Sequence, residues 1–143
     1  MNKDALFWKI MSGELPLPRA AEVLGLKFTK IDADAGIIEA ECQAKSDFTN
    51  PAGNIQGGFL AAMLDDTMGA ALSAMLDAGE FAPTLNLNVS FHRPAHVGAI
   101  KGIGRVVKKG RDVCSLQGEL YQDEQLITSA VATAIIRAIP IKN

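Results

Sequence analysis

The chain has 143 residues, 48% of them apolar and 21% charged, with a formal net charge of −2. This is the size and balance of one domain, residues 1–143, with a substantial core and no basic face for nucleic acid. Trp8, Tyr121 and six Phe are too scattered for a base-stacking platform.

Cys42 and Cys114 lack disulfide or zinc spacing and read as free thiols in a reducing compartment. The first residues carry Asp4 and no long apolar run, unlike a secretory signal, so a cytoplasmic protein is expected.

The spacing predicts a short helix over residues 5–11, capped by Asp4, with Leu6, Phe7 and Ile10 on one side and Ser12-Gly13 as its stop. Pro16 and Pro18 mark a turn, and residues 19–24 read as one or two helical turns ended by Gly25. Together these pieces form a lid over the core. Residues 26–33 and 37–44 alternate as strands around the hairpin signal Asp34-Ala35-Gly36.

Residues 50–75 organise the rest. Asn50-Pro51 and Gly53-Asn54 break the chain, and Gly57-Gly58 opens a helix expected over 57–77. A helix start offers N–H groups with no intrahelical partner at its positive end, suited to a carbonyl oxygen gaining charge. A tight turn is an equally good reason for the glycines. Apolar residues go all the way round the helix, so it is buried on most sides.

Asp65 and Asp66 at its centre argue against a membrane span. One of them either caps a structural network or sits in a wet functional cleft. Gln56 and Asp65 lie nine positions apart, roughly 13 Å along one helix. One helix cannot aim both at a single substrate atom, but two antiparallel copies related by a two-fold axis can.

From Gly79 onward the pattern is β. In residues 84–91, Leu85, Leu87, Val89 and Phe91 share one face, and Thr84, Asn86, Asn88 and Ser90 form an uncharged polar one. That face suits a cleft or an interface as well as solvent. Arg93-Pro94 ends the strand. Residues 99–108 form a strand that Gly102 and Gly104 are expected to bend. The turn at 108–111 leads into residues 113–121, with Cys114, Leu116 and Leu120 inward, and residues 126–136 read as a central strand. His92 and His96 flank Pro94, which denies them helical metal-ligand spacing, so no metal site is expected. The predicted fold class is α+β, an antiparallel sheet curled around one long helix.

These residues resemble the hotdog-fold acyl-CoA thioesterases, in the branch of the phenylacetate-pathway and 4-hydroxybenzoyl-CoA enzymes. The likeness covers nearly the whole chain. The family pattern places Asn, then His-Gly-Gly six residues on, then an acid nine after the His; here these are Asn50, Gln56-Gly57-Gly58 and Asp65. Thr84, Asn88 and Pro94 match the following strand, and Lys109-Gly110-Arg111 a basic hairpin.

The resemblance implies that Asp65 acts as nucleophile or general base and that the Gly57 N–H of a partner subunit holds the oxyanion. Asn50 and Gln56 would position the acyl group, and Thr84 the water or the acid. It also implies Gly58, Arg93, Lys109 and Arg111 at the substrate, with coenzyme A as part of that substrate and no separate cofactor. A homodimer or a dimer-of-dimers tetramer is implied as well. Asp66, about 100° round the helix from Asp65, reads as structural.

Gln56 departs from the family's His and can donate a hydrogen bond but not titrate. A non-catalytic acyl-CoA-binding hotdog protein therefore stands as the alternative. A hydratase of the same fold would need a His at the helix start.

Overall fold

In the computed structural model, which describes residues 1–140, the alternating segments pair into one antiparallel sheet. The elements in chain order are α1 (Leu6–Met11), α2 (Arg19–Val23), β1 (Lys27–Asp32), β2 (Ile37–Ala44), α3 (Gly57–Ser73), β3 (Glu80–Phe81), β4 (Thr84–Phe91), β5 (Gly98–Lys109), β6 (Val113–Gln122), β7 (Gln125–Ile135) and β8 (Arg137–Ala138). The six-stranded sheet runs β1-β2-β5-β6-β7-β4, and β3 pairs with β8 separately. This is the expected sheet with one long helix packed against it. Among the described residues no helix is long and apolar enough to cross a membrane.

The helix faces the sheet through Leu60, Met63, Leu64, Thr67, Met68, Ala71 and Leu72, all buried. Their spacing of three and four residues draws one stripe along α3. Met63, Leu64, Met68 and Leu72 are wholly enclosed, each burial contributing about 1.5–3 kcal/mol. The sheet admits the helix this closely because it is notched with glycine. A Cβ on Gly104 would stand 2.5 Å from the Thr67 carbonyl oxygen, one on Gly118 2.8 Å from Met68 Cγ, and one on Gly102 3.0 Å from Thr67 Oγ1. These strand glycines let the helix seat, which is a stronger constraint than the bend expected of them.

Three expectations are corrected. The helix ends at Ser73 rather than near residue 77. Met75 N–H donates to the Leu72 carbonyl at 2.9 Å and Leu76 N–H to Ser73 at 3.2 Å, so three-residue bonds tighten and close the last turn. The Trp8 indole Nε1–H also donates to the Ala74 carbonyl at 3.1 Å, tying the N-terminal segment to this end.

Asp4 does not cap α1. Ala5 holds the cap position without a side-chain bond, and Asp4 N–H is taken by Asn2 Oδ1 at 3.0 Å. Finally, Leu85 does not share the inward face of β4. The register skips from Thr84–Ala134 to Asn86–Thr133, so Leu85 is bulged out and 59% exposed.

Candidate active site

The side of α3 turned away from the sheet borders a cavity of about 390 Å³. Asp65, Asp66, Gly69, Ala70 and Ser73 supply the helix side of its wall. The N-terminal segment expected as a lid forms another side of it, through Phe7, Ile10 and Met11 on α1 and through Pro18 and Ala21 at α2. Leu26 and Phe28 add a third side, and Pro83 with Thr84 completes the edge next to β4. The lining is therefore mostly hydrocarbon, with a few polar groups concentrated at mid-helix, which is the make-up of a small-molecule site.

Asp65 is held in place. Thr84 Oγ1–H donates to Asp65 Oδ1 at 2.8 Å, across 19 residues of sequence. Thr84 can reach because β4 begins beside the middle of α3, the bulge at Leu85 turning the strand just after it. Asp66 borders the same cavity, which overturns its reading as a residue facing elsewhere. Two neighbours 100° apart on a helix both fit when the free arc is wider than that, and here residues 65, 66, 69, 70 and 73 all lie on it. Asp66 Oδ2 is shut off from solvent and has no hydrogen-bond partner among the described residues. Burial first, and then the charge of Asp65, push its carboxyl above the usual carboxylate range.

The helix start is built differently. Gln56 is the N-cap, without a side-chain cap bond and exposed; its backbone N–H donates to the Phe48 carbonyl at 2.8 Å. Gly57 lies close to the Phe91 ring: a Cβ there would stand 2.9 Å from Phe91 Cζ, so that half-exposed ring would have to turn aside for a side chain. Gly58 has open space instead. Asn50 turns its amide oxygen to its own loop, accepting from Ala52 N–H at 3.0 Å and Asn54 N–H at 3.1 Å.

Asn50, Gln56, Gly57 and Gly58 are thus gathered around the start of α3, and none of them lines the cavity that holds Asp65 and Thr84. Arg93, Lys109 and Arg111 are exposed, also outside the cavity wall, and make no ion pair among the described residues.

Several wall residues went unrecognised in the sequence, namely Asp66, Gly69, Ala70, Ser73 and Glu80. The recurrence Asp65, Gly69, Ser73 at four-residue intervals was the available signal: small or polar groups on one stripe of an otherwise apolar helix. Phe59 stacks on Phe48 at 4.1 Å between ring centroids, Met63 and Met68 are core, and none of the three lines this cavity. Cys42, beneath the helix, is a core thiol pushed up to about 12, by burial first and then by the charges of Asp66 and Glu41.

Comparison with known proteins agrees with this fold. The thioesterase superfamily model matches residues 52–129, more than half of the chain. The proofreading thioesterase EntH of Klebsiella pneumoniae is 28% identical over 115 residues, covering 79% of this chain and 82% of that one. The crystal structure of a phenylacetic acid degradation-related protein from Ralstonia eutropha JMP134 superposes with a TM-score of 0.89 at 43% identity, covering 90% of this chain and 98% of that chain. The PaaI protein of the E. coli phenylacetic acid degradation operon shares the fold at a TM-score of 0.81 and 17% identity, covering 94% and 96%. The chain belongs to the thioesterase superfamily, with its hotdog fold.

Proposed function

We propose that this protein hydrolyses acyl-CoA thioesters, with aryl or medium-chain acyl groups, to the free acid and coenzyme A, in a site shared between two copies of the chain. The observation that carries this reading is Asp65, tethered by Thr84 and set in the wall of an apolar cavity of about 390 Å³. An acyl group enters the cavity and brings its thioester carbon to Asp65. Either the carboxylate attacks that carbon, the C–S bond breaks, the thiolate leaves, and water hydrolyses the resulting mixed anhydride to the free acid and Asp65; or Asp65 takes a proton from a water that attacks, the C–S bond breaks, and the proton passes to the leaving thiolate. The hydroxyl of Thr84 fixes the direction of the carboxylate.

Charge developing on the carbonyl oxygen needs N–H donors. Gly57 offers one, but lies eight residues from Asp65 on the same helix, roughly 12 Å away. A second copy, with its helix antiparallel, supplies the donor. The uncovered apolar side chains Leu85, Phe91 and Val131, each more than half exposed, support such pairing, as does the open edge at β4. Arg93, Lys109 and Arg111 are the candidates for the CoA phosphates, with Asn50, Gln56 and Gly58 around the carbonyl.

A second reading is favoured by Gln56 alone: a protein that holds acyl-CoA without cleaving it. Thiol release from a panel of aryl and straight-chain acyl-CoAs separates the two. Turnover by the native protein and its loss in Asp65→Asn, with binding kept, supports hydrolysis. Tight binding by both forms with no turnover moves the reading to a binding protein, and Gln56→His becomes the variant to test for recovered activity.

A further inference from the structure

The cavity is a slot with two polar ends. Two of its walls are α3 and the chain from Glu80 to Thr84. From Asp65 to Ser73 the helix rises through eight residues, roughly 12 Å. From Thr84 back to Glu80 an extended chain covers four residues, roughly 13 Å. The two walls are thus matched in length, and each is pinned at its ends. Thr84 Oγ1–H donates to Asp65 Oδ1 at 2.8 Å. Just beyond the end of α3, Asp77 N–H donates to Glu80 Oε1 at 2.8 Å. Asp65 and Thr84 therefore mark one end of the slot, and Ser73 and Glu80 the other. Between them Phe7, Ile10, Phe28, Ala70 and Phe81 offer only hydrocarbon.

The far end is open to a ligand. Ser73 Oγ and Glu80 Oε2 make no hydrogen bond among the described residues, and both residues are half-buried. Neither atom is shut off from solvent: the unpaired side-chain atoms without accessible surface are Asp66 Oδ2 and Thr128 Oγ1. A hydrocarbon tail pressed against Ser73 and Glu80 would strip them of water and give nothing back. A tail hydroxyl can donate to Glu80 and accept from Ser73. A tail carboxylate would meet Glu80 as a like charge, and among the described residues no basic side chain lines the cavity to offset it.

We propose that Ser73 and Glu80 are specificity-determining residues, which select an acyl group ending in a hydroxyl and refuse one ending in a carboxylate. The inference rests on the cavity being the acyl site of the proposed hydrolysis. The length of the acyl group follows from the slot. An extended carbon chain advances about 1.25 Å per bond, and the hydrogen bond at its end adds about 2.8 Å. With the thioester carbon against Asp65, the recognised hydroxyl lies about seven to nine bonds away. A hydroxyl on the eighth carbon meets this; one on the third carbon falls among the hydrocarbon walls.

The test compares octanoyl-CoA, 8-hydroxyoctanoyl-CoA, 3-hydroxyoctanoyl-CoA and octanedioyl-CoA with native protein, Glu80→Gln and Ser73→Ala. Both kcat/KM and the Kd of the matching thioether analogues are measured, so that binding is read whether or not the protein cleaves. The native protein should favour the 8-hydroxy compound over octanoyl by about fivefold and disfavour octanedioyl by about as much. The 3-hydroxy compound should show no such gain. Glu80→Gln keeps an acceptor for Asp77 N–H and presents a donor to the cavity, so octanedioyl should rise at least to the level of octanoyl. Ser73→Ala should shrink the gain of the 8-hydroxy compound. Equal treatment of octanoyl and 8-hydroxyoctanoyl by the native protein overturns the inference while leaving hydrolysis intact, and this comparison needs neither variant to fold. So does a change of all four compounds by one factor in both variants, the mark of a purely structural role. Preferential binding of the 8-hydroxy analogue without turnover of any thioester upholds the role of Ser73 and Glu80 and removes hydrolysis instead.

Discussion

At the start of α3 the polar groups on offer belong to the backbone, beside an exposed Gln56 and glycines that leave the N–H groups open. Half-way along, they belong to two carboxyls set in a hydrocarbon wall. The first region is shaped by what is missing: no Cβ at Gly57, where the Phe91 ring lies close, and no side-chain cap from Gln56. The second is shaped by what is held, Asp65 by Thr84 across the cavity edge. For the proposed hydrolysis, neither region is a complete catalytic site. One lacks an acid or a nucleophile and the other lacks oxyanion donors, and the helix between them is too stiff to bring them together within one chain. On the proposed mechanism, a dimer that aligned two helices antiparallel would join the complementary halves twice.

The largest expected effect is on the mid-helix region. Asp65→Asn is nearly isosteric and should lower thiol release by about a thousandfold or more, with acyl-CoA binding retained. At the helix start, Gly57→Pro deletes the backbone donor without breaking the helix. Pro is tolerated at the first helical position, and Gln56 already has the extended ψ of 137° that a following Pro demands. The ring would press on Phe91, a half-exposed side chain with room to turn. Turnover should fall about 100-fold, with a smaller change in KM. Thr84→Val, which removes the tether of Asp65, should cost about tenfold in kcat and leave the unfolding midpoint almost unchanged.

Two smaller effects sharpen the contrast inside the cavity. Gly69 is mid-helix, and a Cβ placed there would have nothing within 4 Å. Gly69→Ala should stabilise the protein by up to about 1 kcal/mol in urea unfolding, whereas Gly69→Leu should fill the cavity and shift preference to shorter acyl groups.

Asp66→Asn tests the carboxyl raised by burial. Because the folded-state value lies above the unfolded one, ionising Asp66 opposes folding. That penalty is absent below the ordinary carboxylate range and grows as pH rises through and above it. The variant should match the native protein near pH 4 and be the more stable near pH 7. A difference that shrinks with rising pH would contradict the assignment.

The fold is readable in the sequence because periodicity survives packing. Cys114, Leu116 and Leu120 point inward as expected, and the alternation of residues 37–44 survives as a buried face of Ile38, Ala40 and Cys42. The helix start is marked by glycine. Its end is not: Met75 and Leu76 continue the apolar pattern, and a three-residue hydrogen bond closes the turn without a breaker. Leu85 escapes the alternation because a bulge shifts it by one residue and leaves no mark in residue type.

Asp65 and Thr84 meet only through tertiary structure, 19 residues apart, and family likeness rather than spacing is what points to their pairing. A rotation of 100° sets Asp66 apart from Asp65 in any helical projection, but the cavity spans a wider arc and takes in both. The lid is legible in Phe7 and Ile10, but its height over α3, and so the cavity beneath it, depends on packing that no local pattern encodes.

The shared site is tested most directly by mixing the two inactive forms, Asp65→Asn and Gly57→Pro, under conditions that exchange subunits, and measuring thiol release. Half of the resulting dimers would carry one of each chain, and each would have one site with both an intact acid and an intact donor. Recovery to about a quarter of native activity is the predicted result. Activity no higher than that of the better single variant, with subunit exchange shown by mass spectrometry, would contradict a site built from two chains.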